Sequence, residues 1–110
     1  MHSEATALRD RAAVFAALGD ETRLSLIGTL ADGQPRSISR LAEGSALTRQ
    51  AITKHLRVLQ GAGVVICVRV GRESRFAFRP GPLKEAQSYL DRVSGQWERA
   101  LSRLRRFVEE

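Results

Sequence analysis

The stretch TRQAITKHLRVLQGAGVV, residues 48–65, admits few folds. Thr48 carries the short oxygen-bearing side chain that caps a helix start, the apolar residues behind it recur at helical spacing, and Gly63 stands immediately before a β-branched run. A helix running to about Ala62 therefore ends abruptly and hands over to a strand. On a helical wheel Ile52, Leu56 and Leu59 form one face, with Ala51 and His55 at its border. Gln50, Lys54 and Arg57 lie opposite, with Thr53 beside them and Arg49 in the first turn. One face is built for burial and the other for contact with a partner.

The flanking segments supply the rest of the fold. Ala5, Leu8, Ala12, Phe15 and Leu18 fall three or four apart, which predicts a first helix over 4–18 ended by Gly19. Asp20 caps a second, whose inner stripe is Leu24, Ile27 and Leu30 up to Asp32-Gly33; Gln34-Pro35 is a short connection. Ser37 caps a short third helix with Ile38, Leu41 and Ala42 inside, broken at Gly44-Ser45. Two helices joined by a tight, glycine-containing turn describe a helix-turn-helix, over about 37–62. VVICVRV (64–70), GRES (71–74) and RFAFRP (75–80) then read as a β-hairpin over about 64–80 with an arginine-rich tip. Pro82 opens a last helix over about 82–108, about 40 Å long at 1.5 Å per residue. The expected class is mainly α with a small β-hairpin, in the order α-α-α-α-β-β-α, as one winged helix-turn-helix domain over residues 1–110.

The last helix carries Leu83, Ala86, Leu90, Val93, Trp97, Ala100, Leu104 and Phe107 in alternating steps of three and four, a heptad-like seam. That is more apolar surface than one small domain covers, so Leu83, Leu90, Val93, Trp97 and Leu104 are expected at an interface between two copies. The first helix, through Leu8 and Phe15, is the second contributor.

Charge points to the partner of the polar face. The chain carries a net charge of +6, distributed as −2 over residues 1–32, +7 over 33–80 and +1 over 81–110. A basic middle third suits a polyanion. No acid occurs between Glu43 and Glu73, where a surface helix needing only solubility would carry several. Glutamine can pair with adenine through two hydrogen bonds, threonine can meet thymine, and arginine or lysine can take guanine or phosphate. Arg49, Gln50, Thr53, Lys54 and Arg57 therefore suit a DNA major groove, and Arg72 and Arg75, flanking the hairpin turn, suit an adjacent minor groove or backbone. The single cysteine, Cys67, leaves no internal disulfide, and neither a signal-peptide core nor a bilayer-length apolar run is present, so a cytoplasmic protein is expected. No phosphate-binding loop, nucleophile elbow or carboxylate cluster is found, which predicts no enzymatic activity and no cofactor.

With ALGDETRLSLIGTL (17–30), LTRQAITKHLRVLQGAGVV (47–65) and GRESRFAF (71–78) in this order, the chain resembles the ArsR/SmtB family of bacterial winged-helix repressors over nearly its whole length. The most specific parts are D-x-T-R-L at 20–24 and KHLRVLQGAGVV at 54–65. The resemblance implies a homodimer formed by the first and last helices, seated on an inverted-repeat operator in double-stranded DNA, with the recognition residues and wing arginines named above. It also shows a departure. Metal-sensing members carry a cysteine pair on the first helix of the helix-turn-helix, or histidines on the last helix, whereas 37–43 has neither Cys nor His and 82–110 has no His. No metal is expected, the match is to the branch lacking those motifs, and the effector is left unspecified.

His55, with His2 as its only fellow, is read as a packing or backbone-contacting residue, and Trp97 as part of the seam. Gly95, costly in mid-helix, marks either a close helix approach or a kink. Cys67 shares a strand face with Arg69, opposite Ile66, Val68 and Val70, and so is partly accessible. Two further readings stand beside the repressor: a regulator that senses oxidants through Cys67, and a winged-helix protein-interaction module without DNA binding.

Overall fold

In the computed structural model, which describes residues 3–109, each of the first four helices starts on a side chain that accepts an N–H three residues on. Ser3 takes that of Thr6 at 3.2 Å, Asp20 that of Arg23 at 3.0 Å, Ser37 that of Arg40 at 3.1 Å and Thr48 that of Ala51 at 3.1 Å. Each cap satisfies a donor that a helix start leaves open and contributes about 1 kcal/mol. The helices are α1 (Glu4–Leu18), α2 (Glu21–Leu30), α3 (Ile38–Glu43) and α4 (Arg49–Gly61). Met1, His2 and Glu110 lie outside the described residues, and the reading of His2 with them.

Gly63 ends α4 with φ 78°. Its N–H donates to the carbonyl of Gln60 at 2.9 Å and that of Val64 to Leu59 at 3.0 Å, the paired bonds of a Schellman stop. A Cβ at Gly63 would meet the Pro82 ring at 3.5 Å, so the left-handed backbone, and not lack of space, is what demands glycine here. The chain reverses at once into β2 (Val65–Val70), which pairs antiparallel with β3 (Glu73–Phe78) from Val65 opposite Phe78 to Val70 opposite Glu73. Only Gly71 and Arg72 remain outside the strands, a tighter turn than the expected 71–74.

A third strand was not legible in the sequence. β1 is only Arg36–Ser37, set opposite Phe76 and Arg75, and it makes the sheet order β1-β3-β2. Two residues cannot display a period, so no pattern announces them. The loop before β1 is held by Arg36, whose guanidinium donates two bonds to the Asp32 carboxylate, at 2.9 and 2.6 Å, and one to the carbonyl of Thr29 at 2.8 Å. Those bonds, with the Gln34 N–H, pull the Asp32 carboxyl down from 3.8 to about 2. Because the folded carboxyl ionises below its unfolded value, its stabilisation is complete above about pH 3.8 and is lost as pH falls toward about 2. Carbon NMR titration of Asp32 is expected to give a midpoint near the lower value; an ordinary carboxylate midpoint would mean that Arg36 does not hold it.

The core gathers on the inner face of α4. Ile52, Leu56 and Leu59 are fully buried there with Leu30, Val64 and Val65, and Val14, Ala17, Leu26, Leu41, Phe76 and Ala86 complete the cluster. The expected inner residues of α3 and α4 hold. Two stripes turn out differently. On α1 the chain buries Val14 and Ala17, with Phe15 and Leu18 packed partly against them, while Leu8 is 54% exposed. On α2 it buries Leu26 and Leu30, and Leu24 is 54% exposed. Both helices are apolar on more than one side, so spacing alone permits two faces, and the position of α4 selects between them.

α5 (Gly81–Glu109) is 29 residues, about 43 Å long. It starts one residue earlier than expected, with the Lys84 N–H donating to the Pro80 carbonyl at 3.0 Å. Its first turns reach the core through Ala86 and Leu83, and Tyr89 stacks near Phe15 of α1 with ring centroids 6.5 Å apart and Arg11 5.3 Å above the Tyr89 ring. The rest of the helix runs on past the domain, giving overall extents of 68 × 36 × 21 Å. Among the described residues no helix is long and apolar enough to cross a membrane.

Candidate nucleic-acid interface

Because Ile52, Leu56 and Leu59 are fully buried, α4 has no rotational freedom about its axis, and its other side is fixed toward solvent. Arg49, Gln50, Lys54 and Arg57 are all exposed on that side. Thr53 is half-buried, and its hydroxyl donates to the Arg49 carbonyl at 2.7 Å. Val58, 45% exposed on the same helix, adds an apolar spot absent from the expected set.

The wing stands beside this helix. Arg72 occupies the exposed hairpin turn, and a cavity of about 250 Å³ is lined by it together with Arg49 of α4, Ser37, Ser39, Glu73 and Ser74. α3 is therefore part of the same surface. A second cavity, of about 380 Å³ on the other side of Ser37, is lined by Arg36, Arg40 and Arg75. Arg36 and Arg40 were missed in the sequence; their only signal was the basic excess of the middle third.

The arginines are not equivalent. Arg75 lies 3.2 Å from the Glu73 carboxylate, and the Ser37 hydroxyl together with Arg75 holds that carboxyl below the usual range. The charge of Arg75 is thus partly compensated. Among the described residues no carboxylate comes within 4.0 Å of Arg40, Arg49, Lys54, Arg57 or Arg72, so none of these five is held in an ion pair.

Cys67 is an exposed free thiol opposite Phe76. Ile66 and Val70, expected on the face opposite Cys67, are exposed as well, because only the base of the hairpin packs on the core. His55 is half-buried, and its Nδ1 lies 3.2 Å from Arg23 Nη1 and 3.7 Å from Asp20 Oδ2.

Of the residues expected at an interface between copies, Leu8 of α1 is exposed, and Leu90, Val93, Trp97 and Leu104, with Trp97 at 64%, are exposed along one side of α5 with Phe107 at 79%. Leu83 and Phe15 are partly buried within their own chain, since Leu83 packs on the core and Phe15 sits by Tyr89.

A helix-turn-helix domain family model matches residues 18–68, from the end of α1 to the middle of β2. The HTH-type transcriptional regulator YuzN of Bacillus subtilis is 37% identical over 78 residues, spanning 66% of this chain and 85% of YuzN. An ArsR-like transcriptional regulator from Rhodococcus sp. RHA1 superposes with a TM-score of 0.86 at 37% identity, covering 97% of each chain. The chain belongs to the ArsR family. As an ArsR-family transcriptional regulator it places α3 and α4 as the helix-turn-helix and β2-β3 as the wing. The HTH-type transcriptional regulator Rv2034 of Mycobacterium tuberculosis is 34% identical over 93 residues, 84% of this chain and 81% of its own. The fold is also that of the homodimeric winged helix-turn-helix DNA-binding domain Mb0332 from Mycobacterium bovis, with a TM-score of 0.66 at 24% identity over 86% of this chain and 88% of that one.

Proposed function

We propose that this ArsR-family regulator is a cytoplasmic homodimeric repressor that binds an inverted-repeat operator and acts by occupancy and not by catalysis. The observation that carries the reading is the fixed outward face of α4, whose amide and cationic side chains are uncompensated while the residues beneath them are fully buried. Gln50, Thr53 and Arg49 read bases; Lys54, Arg57, Arg72 and Arg75 hold phosphates and set register. The exposed seam of α5, continued by Leu8 of α1, joins two copies. Two-fold symmetry then presents two recognition helices to successive major grooves about 34–36 Å apart, which is why the operator is palindromic.

Fluorescence anisotropy tests this with a duplex from upstream of the protein's own gene that carries an inverted repeat, beside a scrambled duplex, each at low and near-physiological salt. Tight, repeat-dependent and salt-sensitive binding is expected, and equal weak binding to both duplexes and to a random pool would sink the reading. Within the same assay Lys54→Ala is expected to weaken all duplexes alike and to flatten the salt slope by about one. Gln50→Ala is expected to cost about 1–3 kcal/mol of discrimination at its base pair. Uniform loss on every sequence would remove Gln50 from base reading.

A further inference from the structure

Beyond Tyr89 α5 leaves its own domain, and the side of it turned away from the apolar seam is strongly basic. Residues 92–108 hold five arginines, Arg92, Arg99, Arg103, Arg105 and Arg106, against one acid, Glu98. On a helical wheel Arg92, Arg99, Arg103 and Arg106 fall in one stripe about 60° wide, centred about 140° around the axis from Leu90, Val93, Trp97 and Leu104. All four arginines are exposed. Two copies joined through the seam would leave both stripes open.

Helix stability does not ask for this arrangement. Arg99 and Arg103 stand four apart, and Arg103 and Arg106 three apart, spacings at which like charges weaken a helix and opposite charges strengthen it. Among the described residues no carboxylate comes within 4.0 Å of any of the four. Gly95 lies in mid-helix beside the same stripe, where alanine would cost less conformational entropy. A Cβ at Gly95 would meet no neighbouring helix, only Nη1 of Arg99 at 3.4 Å, so the glycine answers to no close helix approach within the chain. Gly95, Arg99, Ser102, Arg103 and Arg106 line an open groove of about 380 Å³, with Glu98 on its border. The groove offers guanidinium forks, a hydroxyl and a stretch of bare helix backbone to one anionic partner.

We propose that this side of α5 is a second phosphate-binding surface, which takes the backbone of a duplex other than the one held by α4, so that a dimer seated on its operator bridges two stretches of DNA. The inference rests on the operator-binding reading above. From Arg92 to Arg106 the line of charge measures about 21 Å at 1.5 Å per residue, a length that suits an extended polyanion and exceeds a small one. Duplex DNA carries one negative charge per about 1.7 Å of axis, and guanidinium forks match phosphate oxygens in pairs. The contact is with phosphates alone and reads no sequence. DNA continuous with the operator supplies the second duplex at high effective concentration.

In the test the operator duplex is fixed to beads, loaded with protein and washed, so that α4 is occupied. A labelled scrambled duplex is then added, and the label retained per dimer is read. The unaltered protein is expected to retain label at low salt and to release it as salt rises, with a log–log slope at least as steep as about −2.7, the value for three phosphates. Arg99→Gln, Arg103→Gln and Arg106→Gln together, which keep good helix formers at all three positions, are expected to cut the label at least about tenfold. Operator affinity of this triple variant is expected to stay within about twofold, and its dimer mass in sedimentation to be unchanged. Arg99→Lys, Arg103→Lys and Arg106→Lys together keep the charge and are expected to restore capture. No label on the operator-bound unaltered protein, label that survives the three glutamine substitutions, or loss of the dimer on making them would each overturn the proposal without touching operator binding by the unaltered protein. Phosphatidylserine vesicles retained where the scrambled duplex is not would overturn it in favour of a membrane surface. Failure of the unaltered protein to load on the operator would instead overturn operator binding, and the bridge with it.

Discussion

Trp97→Asp is expected to halve the mass of the protein in sedimentation equilibrium and to lower operator affinity at least about 100-fold. Leu90, Val93, Trp97, Leu104 and Phe107 share one exposed face of α5, and Trp97 is its largest member. An aromatic side chain of that kind buries about 150–250 Å², a large share of the roughly 800 Å² that each partner contributes to a stable interface. A carboxylate at its centre would have to be desolvated without a partner, which the interface cannot offset. Each monomer then holds a single half-site, and the advantage of two linked contacts, about 10²–10⁴ in affinity, disappears. A W97D protein that stays dimeric would take the seam away from α5 and return the dimer reading to α1 alone.

The second large effect is on the scaffold beneath the polar face. Leu56→Ala is expected to lower unfolding free energy by about 2–5 kcal/mol, through lost transfer energy and the cavity left among close-packed neighbours. Against a total of about 5–15 kcal/mol for a domain, that is enough to raise the unfolded fraction severely. Val58→Ala, two residues on and 45% exposed, is expected to change stability by less than about 0.5 kcal/mol. Denaturant titrations of both, at one protomer concentration, make the comparison. A cost below about 1 kcal/mol for Leu56→Ala would mean that α4 is not seated as described, and the fixed outward face would lose its basis.

What could be read from the sequence was what neighbouring residues decide among themselves. Thr48 and Gly63 bracket α4 by local hydrogen bonds, so this helix and the strand after it were legible almost to the residue. The outward set Arg49, Gln50, Lys54 and Arg57 followed, because one wheel with a single apolar face permits one orientation. Where a helix is apolar on more than one side, spacing misplaced single residues, as with Leu24, exposed where Leu26 is buried, although Ile27 and Leu30 face inward as expected. The contribution of α3 to the basic surface, through Ser39 and Arg40, and the contact of Arg23 with His55, thirty-two residues apart, depend on packing that no short window contains. Arg75, expected to flank the turn, lies inside β3 because the turn is only Gly71-Arg72, and it shares a face of that strand with Glu73, to which it pairs.

β1, only two residues long, has a mechanical effect beyond its size. Ser37 is opposite Arg75 in the sheet, caps α3 and gives its hydroxyl to Glu73, so the root of the wing cannot swing without uncapping a helix. The root of the hairpin is accordingly braced against the start of α3. If, as proposed, α4 and the wing meet a duplex together, so braced a hairpin would act as one arm of a calliper, closing well only on steps whose groove width matches its span, and sequence-dependent DNA shape would then be sensed at base pairs that no side chain touches.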